Sequence, residues 1–283
     1  MLNPVPLVSV VIPNFNYGRF LNQCIDSILA QDYQNLELIV VDDGSTDNSR
    51  DIARSYGDKI ILIEQSNLGV NAARNQGTIA AKGDYVAYCD SDDFWRVDKI
   101  SRQMSIFESR PNLALVFCGI QETDARGNFI VVKEPVFSGY LANKYIQNPS
   151  IAIVPNAPST ALIKRSLIFK IGMWDESIRG NAEDWDFFRR LSLVGEFAFE
   201  KEPATFVRVH DSNRSNLEIQ QSYLDNLIVM KKALEDDNHL WTKKKIRYFV
   251  RKFESQYLKN CLKRGSLRAA AIHLNRIVRG SYD

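Results

Sequence analysis

The sequence predicts an α/β protein with a mixed central sheet and a C-terminal helical extension. Three observations lead there. Strand-length apolar runs alternate with helix-period segments from Leu7 to about Leu115. Several of those runs are apolar throughout, as in parallel strands buried on both faces. Beyond Asn216 the segments read as helices with no strand between them. The 283 residues, 45% apolar and 25% charged, are enough for a sizeable core and exclude disordered, collagenous and disulfide-scaffold classes.

Taken in order, the strands read as Leu7 to Ile12, Leu36 to Val41, Ile60 to Glu64 and Tyr85 to Cys89. Helices fall at Arg19 to Ala30, Thr46 to Ser55, Val70 to Ala81 and Val97 to Ser109. Right-handed crossovers then gather the loops after the strand C-termini on one edge, where open α/β sheets bind ligands. A strand at Leu113 to Phe117, a turn at Ala125 to Asn128 and an irregular stretch marked by Pro135, Pro149, Pro155 and Pro158 follow. A helix from Ala182 to Leu193 and strands at Glu196 to Phe199 and Thr205 to Val209 complete the sheet, and helices at Leu217 to Glu235, Thr242 to Lys263 and Leu267 to Val278 form the extension. The expected division is a domain over 1–216, with halves 7–110 and 111–216, and an extension over 217–283.

The formal charge of +2 conceals a split: from Leu240 onward 12 Lys and Arg face 2 acids, leaving 24 against 32 before it. Cys24, Cys89, Cys118 and Cys261 form no CxxC pair, which argues for reduced thiols rather than a zinc knuckle. No run approaches about 18 apolar residues, and Met1 to Val11 lacks the features of a signal peptide, so a cytoplasmic, non-spanning protein is expected.

Unusual residues gather at the strand ends. Asp42-Asp43-Gly44-Ser45-Thr46-Asp47 follows a purely apolar strand. Ser45 and Thr46 suit helix capping, whereas a carboxylate such as Asp43 at the mouth of a parallel sheet can accept the N3–H of a nucleobase. In Asp90-Ser91-Asp92-Asp93, three acids within four residues repel one another unless donors or a cation neutralise them, and oxygen ligands at this spacing suit Mg²⁺ or Mn²⁺ shared with a diphosphate. No GxGxxG or Walker-type loop follows any strand, so backbone cradling of phosphate is not expected. In Glu183-Asp184-Trp185-Asp186, acids in a first helical turn are favourable in themselves, and Phe187, Phe188 and Leu191 read as core.

In this order the motifs resemble those of inverting glycosyltransferases of family 2. The resemblance rests on Val10-Val11-Ile12-Pro13-Asn14-Phe15-Asn16, Asp42-Asp43-Gly44-Ser45, Asn67-Leu68-Gly69 with Ala73-Arg74-Asn75, and Asp90-Ser91-Asp92-Asp93. Gly172-Met173-Trp174-Asp175-Glu176 and Glu183-Asp184 extend it, so that it spans about 7–211. It implies the GT-A, Rossmann-like fold of nucleotide-diphospho-sugar transferases and a donor that is by default a UDP-sugar. Pro13 and Phe15 would line the base pocket, Asp43 would read the base, Arg74 would lie near base or phosphates, and Asp90, with Ser91 beside it, would contact ribose or sugar. Asp92 would bind the divalent metal, Mn²⁺ or Mg²⁺, with His210 approaching the metal or diphosphate. Asp184 would be the general base and Glu183 its neighbour near the acceptor, a glycan or lipid-linked hydroxyl of cell-surface polysaccharide or glycolipid synthesis.

Two other readings compete. A sugar nucleotidyltransferase needs a glycine-rich basic loop after the first strand, and Pro13 to Gly18 holds one glycine. A non-catalytic nucleotide-sugar-binding or membrane-docking module would not need Asp184. The basic C-terminal helices carry apolar residues at helical spacing, which suits packing on one face and contact with anionic lipid, at the inner membrane face, on the other. No nucleic-acid-binding motif is present.

Overall fold

The computed structural model describes residues 5–147, 153–155, 158–178, 182–211, 219–236, 242–263 and 265. The expected helix at Leu267 to Val278, the domain boundary at 216/217 and Pro149 lie outside these residues.

Parallel strands β1 (Val8–Asn14), β2 (Leu36–Asp43), β3 (Ile61–Gln65) and β4 (Tyr85–Tyr88) alternate with helices α1 (Gly18–Leu29), α2 (Ser49–Ser55) and α3 (Val70–Ala80). The runs of Val and Ile that announce β1 and β2 are buried throughout their centres, with helices on both sheet faces. Helix α3 lies so close to β1 that a Cβ on Gly77 would stand 2.2 Å from Val11 Cγ1, so only glycine permits this packing. The second half adds β5 (Phe94–Trp95), α4 (Lys99–Ser109), β6 (Leu113–Asp124), β7 (Phe129–Lys133), α5 (Ala142–Gln147), β8 (Leu162–Lys164), α6 (Arg165–Lys170), α7 (Glu183–Ser192) and β9 (Glu196–Val209). The sheet order is β3-β2-β1-β4-β8-β6-β9-β5, with β7 on the side of β6. Strand β8 joins the parallel half to β6 by antiparallel pairing on both sides, making the sheet mixed.

Helices α8 (Ile219–Asp236) and α9 (Lys243–Lys263) follow. Helix α8 packs on the loop before α7 through Val229 against Ile178 and Ala182. Lys232 pairs with Asp175, and Asp236 accepts from the buried Arg189 at 3.0 Å.

Three expectations are corrected. Helix α2 starts at Ser49 rather than Thr46, because Asn16 Oδ1 accepts the backbone N–H groups of Thr46 and Asp47, at 2.7 and 3.3 Å, and holds them out of a helix. Asn48 is the N-cap and makes no side-chain cap bond, Asp47 just before it accepts from Ser49 N at 3.0 Å, and Ser45 and Thr46 lie too far ahead to cap the helix. Residues 196–209 form one strand rather than two, since β9 pairs with β6 along its length and absorbs Glu200 to Pro203 as register shifts around Gly119.

Candidate active site

The first wall of the site is the β1–β2 edge. Asp42 is buried and accepts from Arg50 Nε at 2.8 Å, Ser45 N at 3.0 Å and Asn14 Nδ2 at 3.2 Å. Burial alone would raise its pKa, but these bonds hold it below the usual carboxylate value. Asp43 points the other way. Its carboxylate accepts from Gln65 Nε2 at 2.7 Å and from the backbone N–H groups of Leu68 at 2.8 Å and Gly69 at 2.9 Å, fixing the turn into α3. That uses three of about four lone-pair sites on a carboxylate. Gly44 has φ +80°, and a Cβ there would meet Asn67 N at 2.7 Å, which closes the loop against the same turn. Pro13 is buried in β1, whereas Phe15 stands 40% exposed at its end.

The second wall is the acid loop after β4. Asp90 offers a third of its side chain to solvent, Asp92 is largely buried, and Ser91 and Asp93 are buried. Burial, with the charges of Asp92 and Asp90 beside it, pushes the Asp93 carboxyl well above its ordinary value. The loop is gripped from β9: Arg208 Nε donates to Asp92 O at 2.8 Å, and Arg208 N donates to Asp93 Oδ1 at 3.3 Å. The Arg208 guanidinium lies 4.8 Å from the centroids of both Phe20 and Phe94, and reaches Gln23 Oε1 and Ala125 O. His210 directly follows the same strand, with Nε2 3.0 Å from Asp92 Oδ2 and Nδ1 3.3 Å from Arg19 Nη2.

The third wall is the start of α7. Arg74 of α3 is buried beneath it. It donates to Asp90 Oδ1 at 2.9 Å, stands 3.7 Å from Glu183 Oε1 and places its guanidinium 4.5 Å from the Trp174 ring centroid. Desolvation opposes its charge, but Asp90, Glu183 and Asp184 together raise its pKa further. Asp184 takes the opposite shift: burial first and the Glu183 charge second push it up to about 7, against the lowering influence of Trp185 N–H and Arg74. Asn71 and Asn75 of α3 bind the loop before α7, donating to Asp175 O, Ile178 O and Trp174 O at 2.9 Å each. Helix α3 therefore touches every wall.

Of the residues singled out in the sequence, Arg74, Asp90, Glu183 and Asp184 form one electrostatic cluster, and Asp92 with His210 forms a second. Asp43 anchors a loop at the edge of the first. The sequence reading missed Arg19, Gln23 and Arg208, since a lone arginine in a strand or first helical turn carries no local signal. Among the described residues no three His, Cys, Asp or Glu side chains converge as a metal cage. Asp92 and His210 are a two-donor set of hard oxygen and imidazole nitrogen, which fits Mn²⁺ or Mg²⁺ completed by ligand oxygens.

Comparison with known proteins settles the family. The profile described as Glycosyl transferase family 2 matches residues 9–172. The chain belongs to that family. An uncharacterized glycosyltransferase of Rickettsia typhi is 35% identical over 222 residues, covering 76% of this chain and 68% of that protein. The glycosyltransferase GlyA of Streptococcus pneumoniae is 42% identical over 96 residues, covering 33% of this chain and 14% of its own. Among solved structures, S. aureus TarS 1-349 in complex with UDP-GlcNAc superposes with a TM-score of 0.65 at 15% identity, over 98% of this chain and 93% of that one. At that identity the likeness shows the fold. This family 2 glycosyltransferase thus has the GT-A architecture, and among its described residues no helix is long and apolar enough to cross a membrane.

Proposed function

We propose that this glycosyltransferase moves a sugar from a UDP-sugar to an acceptor hydroxyl with inversion, and that Asp184 is its base. The observation that carries the reading is the buried Arg74, which ties the acid loop at Asp90 to the α7 start at Glu183 and Asp184. A carboxyl near 7 is basic enough to take a hydroxyl proton while remaining substantially ionised at neutral pH. Glu183 keeps that carboxyl basic by its charge, and Arg74 limits the effect.

On the donor side, Phe15 and Pro13 would flank the base, and the remaining lone pair of Asp43 would accept its N–H. Asp90 and Ser91 would meet the ribose or sugar. Asp92 and His210 would hold Mn²⁺ or Mg²⁺, which supplies charge neutralisation for the departing diphosphate. UDP as carrier is supported by the TarS structures, solved with UDP-GlcNAc and with UDP. The acceptor is proposed to be a glycan or lipid-linked hydroxyl in polysaccharide or glycolipid synthesis, reached from the cytoplasmic face, with the basic C-terminal helices against anionic lipid. The charge split along the chain supports that placement.

Asp184→Asn tests the base. The amide keeps volume and hydrogen bonding but takes no proton, so turnover should fall by about 10² to 10⁴ while donor affinity holds. Glu183→Gln should lose less. Near-normal turnover in Asp184→Asn would overturn the assignment, and a larger loss in Glu183→Gln would move the base to Glu183. A protein that binds UDP-sugar but never releases UDP would be the non-catalytic binder.

A further inference from the structure

Strand β7 is unlike every other strand of the sheet. All five of its residues are exposed, including Phe129 at 62%, Ile130 at 48%, Val131 at 38% and Val132 at 39%. Alternate residues of a strand face opposite ways, so this strand shows apolar side chains on both faces at once. Among the described residues it pairs with β6 alone, by antiparallel register from Ile120↔Lys133 to Thr123↔Phe129, which leaves its other edge open. An open apolar edge is a template for pairing with another strand.

The charges at its two ends identify the occupant. Lys133 is already paired with Glu122, and Asp124 caps the turn through Arg126 N, Asn128 N and Asn128 Nδ2. Arg126 before the strand and Glu134 after it are exposed, and the Arg126 charge adds to the Asn128 hydrogen bonds that hold the neighbouring Asp124 carboxylate below its ordinary value. An antiparallel pairing of β7 with itself brings the Glu134 end of one copy to the Arg126 turn of the other, and two-fold symmetry makes that contact twice. In that register Ile130 faces Ile130 and Val131 faces Phe129 of the other copy, at the separation where cross-strand apolar pairs stabilise. A lipid surface suits the hairpin less well, because Glu122, Asp124 and Glu134 outnumber Arg126 and Lys133.

We propose that β7 is a dimerisation edge, pairing antiparallel with β7 of a second copy of this chain and locked by reciprocal Arg126–Glu134 contacts. A charge swap tests it. Sedimentation velocity over a dilution series should show the full chain as a dimer. Arg126→Glu and Glu134→Arg should each weaken association by about 10- to 100-fold, because each reversal sets like charges together at two places. The doubly swapped Arg126→Glu/Glu134→Arg chain should return to the dimer. Both substituted positions are on the surface, so circular dichroism melting of all three variants should match the parent and exclude misfolding. A chain that stays monomeric throughout, a dimer indifferent to both single reversals, or a double swap that fails to recover the dimer would overturn the proposal. Capture of a foreign extended peptide by a monomeric chain would overturn it in favour of strand addition from another protein.

Discussion

Asp184 combines two consequences of one environment. Its raised pKa suits the base role proposed above, and the same shift means that the folded protein holds a proton there that the unfolded chain, at the ordinary carboxylate value of 3.8, has already released. Folded-state stability from this group is therefore present at low pH and is lost as pH climbs from about 4 through about 7. The expected outcome is that kcat/KM rises with pH to a plateau above about 7, that Asp184→Asn abolishes this limb, and that Asp184→Asn melts higher than the parent at pH 8. Rate profiles and calorimetric melts check both halves. Asp92 stands 3.0 Å from His210 Nε2 through its Oδ2. Asp92→Asn should leave the melting midpoint within a few degrees and abolish the Mn²⁺-dependent part of UDP binding; titration calorimetry with and without Mn²⁺ decides, and undiminished metal-dependent affinity would remove Asp92 from the donor set.

Helix α3 is the element on which the site depends most. Its N-terminal turn is set by Asp43, its middle carries Arg74, and Asn75 makes three bonds to the loop ahead of α7: to Trp174 O at 2.9 Å, to Glu176 Oε1 at 2.8 Å, and from Trp174 N at 3.0 Å. Asn75→Ala would strand the backbone N–H and C=O of a buried tryptophan, at a cost of about 2 to 4 kcal/mol. Urea unfolding should show that loss, and turnover should fall further than UDP affinity because the α7 side of the site is what moves. The apolar runs of β1, β2 and β4 were legible because strands buried on both faces have few alternatives at that length. Strand β8 was not, because three residues show no period, and β5 was hidden in a two-residue pairing to distant β9. Asp43, Asp90 and Asp92 stand out in the sequence for the opposite reason, since carboxylates at the ends of apolar strands have no use that composition explains, whereas Glu183 and Asp184 stand out only through the family resemblance. Arg208 and Arg19 join them only through closure of the sheet, which no local window contains.

The molecule as a whole joins an acidic body to a basic end, and α9 carries the described part of that end. Arg247, Arg251, Lys259 and Lys263 are exposed on it, whereas Val250, Phe253 and Tyr257 are buried and Tyr257 accepts from Asn226 of α8 at 2.9 Å. The packing face and the charged face are thus separate. Replacing the four exposed cations by Gln should leave melting and UDP binding unchanged but weaken binding to anionic vesicles, by up to about a thousandfold if each contributes about 1 kcal/mol. Vesicle sedimentation checks this, and equal binding by parent and variant would return α9 to packing alone. Arg208 has a consequence of a different kind. The acid loop is encoded at residues 90–93, yet its backbone is held by a strand residue more than a hundred positions later. During synthesis the parallel strands β1 to β4 can assemble early, from contacts between neighbours in the chain. The acid loop of residues 90–93 must wait for β9 to pair beside β6, a long-range pairing that forms slowly. A chain that stops before Arg208 therefore lacks the guanidinium that holds the Asp92 carbonyl, and its acid loop is left without that grip.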